Sequence, residues 1–297
     1  MLIGLAVVFG SILMGFTMAG GKVAALMQFA EFITIGGAAL GSVIVGFSPK
    51  AVMGIIKSVI GLIKGNPYKK STFLDLLVAM HDLFQQGRRE GIISLEHHVE
   101  DPQNSSILEG YPSFKNNHHA IDLLCDTMKL VIMGSVSAYD LSDMMDIDLE
   151  ARHEDAIRYS NILTTVADAL PGFGIVAAVL GIVVTMQAIG GPAAQVGEKV
   201  GAALVGTFLG VLLAYGIAAP ISKALEGIAL CEGQYLSCIK NAVVSFARGD
   251  NPLVSVEFAR RSIEPELRPG FGELEDACKR RNKTDSGSTG QSEAQAA

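Results

Sequence analysis

The side chains with the most chemistry to offer are two histidine pairs, His97–His98 and His118–His119, and four cysteines, Cys125, Cys231, Cys238 and Cys278. Neighbours on a helix point about 100° apart, so an adjacent pair cannot easily clasp one metal ion. Solvent-facing or loosely packed rings are the favoured reading. The cysteines show no C-x-x-C spacing, which reads as reduced structural thiols. No G-x-S-x-G, Walker A or H-E-x-x-H sequence occurs, so neither an enzyme, a metal site nor a cofactor is expected. No basic patch is interleaved with aromatics, which argues against nucleic acid as a partner.

More is carried by two apolar stretches. Read in helical steps, residues 170–189 place Pro171, Gly174, Ala178, Gly181 and Thr185 on one stripe. Residues 200–221 give Gly206, Gly210, Leu213, Ile217 and Pro220, preceded by Gly197 and Gly201. In lipid, small residues let helix backbones approach closely. The stripe serves either packing within one subunit or a seat for another protein's helix. Pro171 and Pro220 each remove a backbone hydrogen bond, and at one depth they would form a hinge pair. Proton and cation paths usually need an ionisable group inside the membrane. These two stretches hold none, with Asp168, Glu198 and Lys199 at their edges and Thr185, Gln187, Thr207 and Tyr215 as polar side chains. Either no ion moves, or a partner helix supplies the acid.

The elements that would position these residues follow from composition. Of 297 residues, 49% are hydrophobic and 18% charged, and the mean hydropathy is +0.39. Apolar residues cluster in four stretches: 2–19, 32–47, 170–189 and 200–221. A bilayer core about 30 Å thick needs ~20 apolar residues in a helix. The second stretch is short and borrows Phe29 and Ala30. The first lacks a basic start and a clear cleavage site, so it is read as a retained helix. The connections 20–31 and 190–199 are short, with Lys22 and Lys199. Lys50, Lys57, Lys64, Lys223 and Lys240 flank the other side, which places the loop, the tail and both termini in the cytoplasm.

The fold class expected is an all-α integral membrane protein. Four transmembrane helices carry a large helical cytoplasmic loop and a cytoplasmic C-terminal tail. The segments are a first transmembrane hairpin over 1–47, a cytoplasmic helical domain over 48–167, a second hairpin over 168–221, a helical tail over 222–281 and a disordered end over 282–297. In "PKAVMGIIKSVIGLIKGNP" the lysines recur every seven residues, which suits a helix over 50–64 lying along the membrane lipid; a buried soluble helix is the alternative. In "STFLDLLVAMHDLFQQGRREG", Ser71 or Thr72 can cap a helix with a Phe73, Leu76, Leu77, Met80, Phe84 stripe, and Gly91 ends it. Ser94 can cap a following helix with Glu96 in its first turn. Further helices are expected over 119–134 and 138–166.

At these residues the sequence resembles the MotA family, the A-subunit of the bacterial flagellar stator. "LPGFGIVAAVLGIV" and "LVGTFLGVLLAYGIAAPI" are similar to its third and fourth spans, "REGIISLE" to its charged motif, and "VEFARR" and "RPGFGELE" to its tail. The resemblance runs over about residues 1–280. It implies a flagellar motor subunit of the inner membrane. Five copies would surround a B-subunit dimer whose helix bears the essential aspartate, and ion flow would produce torque on the rotor. It implies Pro171 and Pro220 as the pair coupling ion flow to movement, and Thr207 beside the ion path. Arg88 and Glu96 would contact the rotor's switch-ring protein, with Arg89 able to share or take that contact. The sodium-using branch has threonine where this chain has Ala178, which implies protons, and a methyl offers no oxygen to a hard cation. The alternative is an energising subunit for outer-membrane transport or gliding with a non-flagellar client.

Overall fold

A computed structural model of the chain describes residues 2–187 and 189–280, and every regular element among them is helical. The segment 282–297 lies outside the described residues. The α-helices are α1 (Leu2–Met18), α2 (Phe29–Gly46), α3 (Pro49–Ile63), α4 (Lys70–Glu90), α5 (Glu96–Glu100), α6 (Pro112–Lys115), α7 (His118–Met133), α8 (Ala138–Met186), α9 (Ala193–Val211), α10 (Ala219–Ala247) and α11 (Pro252–Arg261). Residues 271–280 are also helical. The chain divides into two compact units, Met1–Gly65 with Asp155–Ile228 and Asn66–Glu154 with Ala229–Ala297. Helices α8 and α10 contribute residues to both.

Among the described residues, three helices hold segments long and apolar enough to cross a membrane: Val23–Gly46, and windows within Ala138–Met186 and Ala193–Ala247. Helix α1 is apolar as well but has 17 residues, roughly 26 Å at 1.5 Å per residue. Helix α2 buries Glu31, Ile35, Ala39 and Val43, spaced four apart on one face. It starts at Phe29 after Gln28. Glu31 is therefore in its first turn and not in the connection where the sequence reading ended it. Helix α3 begins with Pro49 at its first position, where no backbone donor is lost. It buries Ala51 and Leu62, while Lys50, Lys57 and Lys64 are exposed together with Met53, Ile56, Ile60 and Ile63. Gly54 gives room to Tyr159 of α8, whose ring carbon would stand 2.2 Å from a Cβ there.

A helix ending near residue 166 and a new one opening at 168 were expected; instead α8 is a single helix of 49 residues with Pro171 inside it. An interior proline costs about 3 kcal/mol or more in an isolated helix. Here Ala167, Leu170 and Ala177 are buried in a core with Ile35, Ala39, Leu209, Ala214 and Ala218, and that packing offsets the missing rung. After α9 the backbone widens into a π-helix over Leu212–Ala218, and Pro220 follows at once. A proline ring collides with the carbonyl four residues back, here that of Gly216, inside the widened turns. The π segment relieves that collision, and such segments are frequent at functional sites.

In the second unit, α4 buries Phe73, Leu76, Leu77, Met80 and Phe84, the face its periodicity predicts. Tyr235 of α10 packs with Tyr68 at 5.3 Å and edge-on with Phe73 at 5.5 Å, while Phe84 and Phe246 stack at 4.3 Å. The expected caps are corrected. Helix α4 starts after Lys69 with no side-chain cap, and the Thr72 hydroxyl donates instead to the Pro67 carbonyl at 3.0 Å. Ser94 lies in a 3-10 turn, Ile92–Leu95, and its hydroxyl donates to the Gly91 carbonyl at 2.7 Å. Gly91, at φ +93, ends α4; a side chain there would be strained.

The "VEFARR" and "RPGFGELE" motifs hold each other. Arg260 donates from Nε and Nη2 to the Glu257 carboxylate at 2.6 and 2.8 Å, and from Nη1 to the Pro269 carbonyl at 3.0 Å. Hydrogen bonds from Arg260, with Arg261 adding to them, hold the Glu257 carboxyl below the usual carboxylate range. A depressed carboxyl stabilises the fold above its unfolded pKa, near about 4.3, and that contribution is lost as pH falls through the folded value. Glu257→Gln is therefore expected to lower the denaturation midpoint of the purified protein at pH 7. The gap to the parent should narrow steadily as pH drops below about 4.

Candidate functional site

Helices α8 and α9 run antiparallel in the first unit with their backbones in contact. A Cβ on Gly174 would stand 2.9 Å from the Gly206 carbonyl oxygen and 3.0 Å from Gly210 Cα. One on Gly210 would stand 2.7 Å from Gly174 Cα and 2.8 Å from the Leu170 carbonyl oxygen, and one on Gly181 2.7 Å from Ala203 Cβ. The small-residue stripes read from the two sequences thus face each other within one chain. Direct approach of backbones is the usual source of helix association where lipid removes the hydrophobic drive. Ala178 is buried in this seam, and Thr207 is half-buried beside Gly206.

The seam also holds an acid that the sequence reading did not place there. Glu31 of α2 is buried, at 8% exposure. Its Oε2 is enclosed with no hydrogen-bond partner. A Cβ on Gly206 would lie 2.7 Å from that oxygen, 3.1 Å from the Ala178 amide nitrogen and 3.2 Å from Ala177 Cβ. The missed signal was the four-residue spacing of Glu31, Ile35, Ala39 and Val43, which continues the buried face of α2 one turn beyond its first aliphatic residue.

Toward the other end of the seam, Ser160 and Thr164 of α8 meet Ser222 of α10. Ser160 Oγ donates to the Ser222 carbonyl at 2.9 Å, Ser222 Oγ donates to the Ser160 carbonyl at 2.8 Å, and Thr164 Oγ1 is 2.6 Å from Ser222 Oγ. The spacing of Ser160 and Thr164 shows a shared face, but nothing in the sequence names Ser222 as their partner. These contacts correct the expectation of prolines at one depth. Pro171 is level with the Gly210 turn, whereas Pro220 is level with the Thr164 turn. Seven residues of α8 separate those levels, two turns or roughly 10 Å. Pro171 is half-buried and Pro220 exposed.

In the second unit, Arg88, Arg89 and Glu96 are all exposed. Arg88 is committed within the chain: its Nη1 donates to the carbonyls of Gly249 and Asp250 at 3.0 and 3.2 Å. Of the two histidine pairs, expected to be solvent-facing or loosely packed, three rings are exposed and one is not. His97, His118 and His119 are exposed, but His98 is buried with Nδ1 2.8 Å from Ser105 Oγ. Burial, with His97 alongside, pulls the His98 ring below the usual histidine value. His119 Nδ1 lies 2.6 Å from Glu232 Oε1. All four cysteines are free, and burial pushes the Cys125 thiol up to about 11 and those of Cys238 and Cys278 up to about 12, which leaves little thiolate for reaction.

The seam makes a graded prediction. Gly210→Ala meets backbone at 2.7 Å and should destabilise the detergent-solubilised protein by about 1–3 kcal/mol or more, as overpacking does. Gly172→Ala, inside the same helix with nothing within 4 Å of its Cβ, should hold or raise the thermal midpoint, since alanine favours a helix interior over glycine by about 0.5–1 kcal/mol.

Comparisons with known proteins locate this architecture. Residues 2–91 match the model of the motility protein A N-terminal region, and residues 116–234 that of the MotA/TolQ/ExbB proton channel family. Motility protein A of Salmonella typhimurium and that of Escherichia coli are each 37% identical over 93% of this chain and 93% of the relative. Chemotaxis protein LafT of Vibrio parahaemolyticus is 34% identical over 88% of this chain and 92% of the relative. The fold is similar to the Campylobacter jejuni MotAB structure, with a TM-score of 0.74, 18% identity, and coverage of 89% of this chain and 95% of that one. It is similar also to the flagellar MotAB stator complex of Bacillus subtilis, with a TM-score of 0.70, 24% identity, and coverage of 86% and 92%. With that identity sustained along nearly its whole length, the chain belongs to the motility protein A family.

Proposed function

We propose that this chain is the A-subunit of a flagellar stator, a multi-pass inner-membrane protein that joins a one-span B-subunit to conduct protons and turn the rotor. The observation that carries the reading is the 37% identity to motility protein A over 93% of the chain. Four spans are proposed: α1, α2, the apolar part of α8, and α9 continuing through the π segment to Pro220. The second unit and both termini would be cytoplasmic, since Lys50, Lys57 and Lys64 line the outer face of α3 and positive charge stays inside. Exposed Met53, Ile56, Ile60 and Ile63 beside those lysines suit a helix lying on the lipid surface. The match of residues 2–91 to a motility-specific model favours a flagellar client over a transport or gliding one.

In this reading the B-subunit's aspartate lies against the wall that includes Ala178 and Thr207, and copies of the chain assemble around it, five by resemblance. The widened turns before Pro220 are where α9 and α10 can change shape with least loss of hydrogen bonds. Pro171 supplies a second soft point about two turns away. Rotor contact falls to exposed charges on the second unit. Such rim pairs steer and orient partners more than they bind them, which suits contacts that must form and release at every step. Arg88, with part of its guanidinium spent on the Gly249–Asp250 turn, both shapes that surface and belongs to it. Arg89 and Glu96 extend it.

Charge reversal at Arg89 together with Glu96 should cut swimming speed in a host lacking its own A-subunit while membrane levels stay at parent values. Normal swimming would remove those residues from the rotor contact. Arg88→Glu should in addition lower the stability of the purified protein, because it removes the donor to two solvent-accessible loop carbonyls, a loss of about 0.5–1.5 kcal/mol. Pro220→Leu should abolish rotation yet leave co-purification with the B-subunit intact, and unaltered rotation would refute the coupling role.

A further inference from the structure

The stator reading makes the wall built by this subunit inert and assigns the protonatable acid to a partner. Glu31 does not fit that division. It is the single ionisable side chain on α2, it is buried at 8% exposure, and its Oε2 is enclosed without a donor. Around it stand Gly206, Ala177 and Ala178, none of which can pair with a charge through its side chain. Helix α1 carries no ionisable side chain, and α8 carries none between Asp168 and Met186. On the remaining neighbouring elements, Lys22, Glu198 and Lys199 are exposed. Nothing in the packing alone calls for a carboxyl here: the same face of α2 is filled further along by Ile35, Ala39 and Val43.

We propose that Glu31 is a proton-binding site of this subunit itself, taking up and releasing one proton at Oε2, at the level of Ala178 and Thr207. Burying an unpaired charge in such a wall is expensive, and a carboxyl is the group here that can shed its charge by accepting a proton. The step balances simply. An O–H bond forms at Oε2 when a proton arrives from the ion stream and breaks when the proton leaves, with no electron transferred. Gly206 makes the site possible, since a Cβ at that position would come within 2.7 Å of the oxygen. An apolar cavity of about 700 Å³ in the same unit is lined by Ile12, Phe16, Gln28, Gly201, Val205 and Phe208. Glu198 lines this cavity as well. Gln28 is one turn before Glu31 and Val205 is next to Gly206, so the cavity ends one turn from the enclosed carboxyl, and a proton would have to cross that turn to reach it. The assignment rests on the stator reading, and deepens it by placing two exchangeable protons in series, one on each subunit.

The test uses the full chain co-expressed with its B-subunit and reconstituted in vesicles under an imposed pH gradient, with Glu31→Gln and Glu31→Asp beside the parent. Glutamine keeps the shape and removes the exchangeable proton. Flux is expected to fall about ten-fold or more with Gln, as for loss of a proton-transfer group, and to be partly kept with Asp, at unchanged complex yield. Parent flux in the Gln variant would overturn the proposal and leave the stator reading standing. A parent complex that neither conducts nor restores swimming would instead overturn the stator reading. A second measurement on the parent chain alone decides the site in that case, or if the Gln variant fails to assemble. A hydrophobic carbodiimide, which adds to protonated carboxyl groups in membranes, should label Glu31 by mass spectrometry; an unlabelled Glu31 would overturn the proposal.

Discussion

The contact of α8 with α9, backbone against backbone at Gly174, Gly206 and Gly210, is the constraint on which the rest of the first unit depends. Side chains on helices surrounded by lipid gain little from being buried, so these helices are held by close packing and by hydrogen bonds. The glycines supply the first and the Ser160–Thr164–Ser222 hydroxyls the second. With both ends of the seam secured, α8 can carry Pro171 without breaking. The misfit that Pro220 would cause is taken up in the seven-residue π segment before it. The two prolines are thus flanked by the tightest contacts these helices make.

That close approach also creates the chemistry. Because Gly206 has no side chain, Glu31 of α2 reaches the seam at the depth of Ala178. A wall that reads as inert in the apolar stretches of α8 and α9 acquires a carboxyl from a third helix. The acid is invisible to a search of each apolar stretch by itself, since it lies in the first turn of α2, where a hydropathy reading places the end of a loop.

The second unit separates two kinds of charged motif. Arg260 and Glu257 look like surface charges in the sequence, yet they clamp the tail against itself with three hydrogen bonds. Arg88 is intermediate: exposed, but bonded to the turn at Gly249 and Asp250. Arg89 and Glu96 are exposed beside it. An exposed charge with no structural duty is available to a partner, whereas a bonded one first holds its own fold. A sequence shows the charge in each case and hides the duty.

The amino-acid order alone determined the helical class, the apolar segments and the small-residue faces of α8 and α9. These follow from local composition and from a 3.6-residue period that needs no knowledge of partners. The buried stripe of α4 and the stop at Gly91 were legible for the same reason. Tertiary structure decided the rest: that α8 is unbroken through Pro171, that the two prolines sit about two turns apart, that His98 is buried, and that Glu31 faces Gly206. Each of these depends on which residue from a distant part of the chain fills the neighbouring space. Pairings between elements far apart in sequence leave no periodic trace within either one.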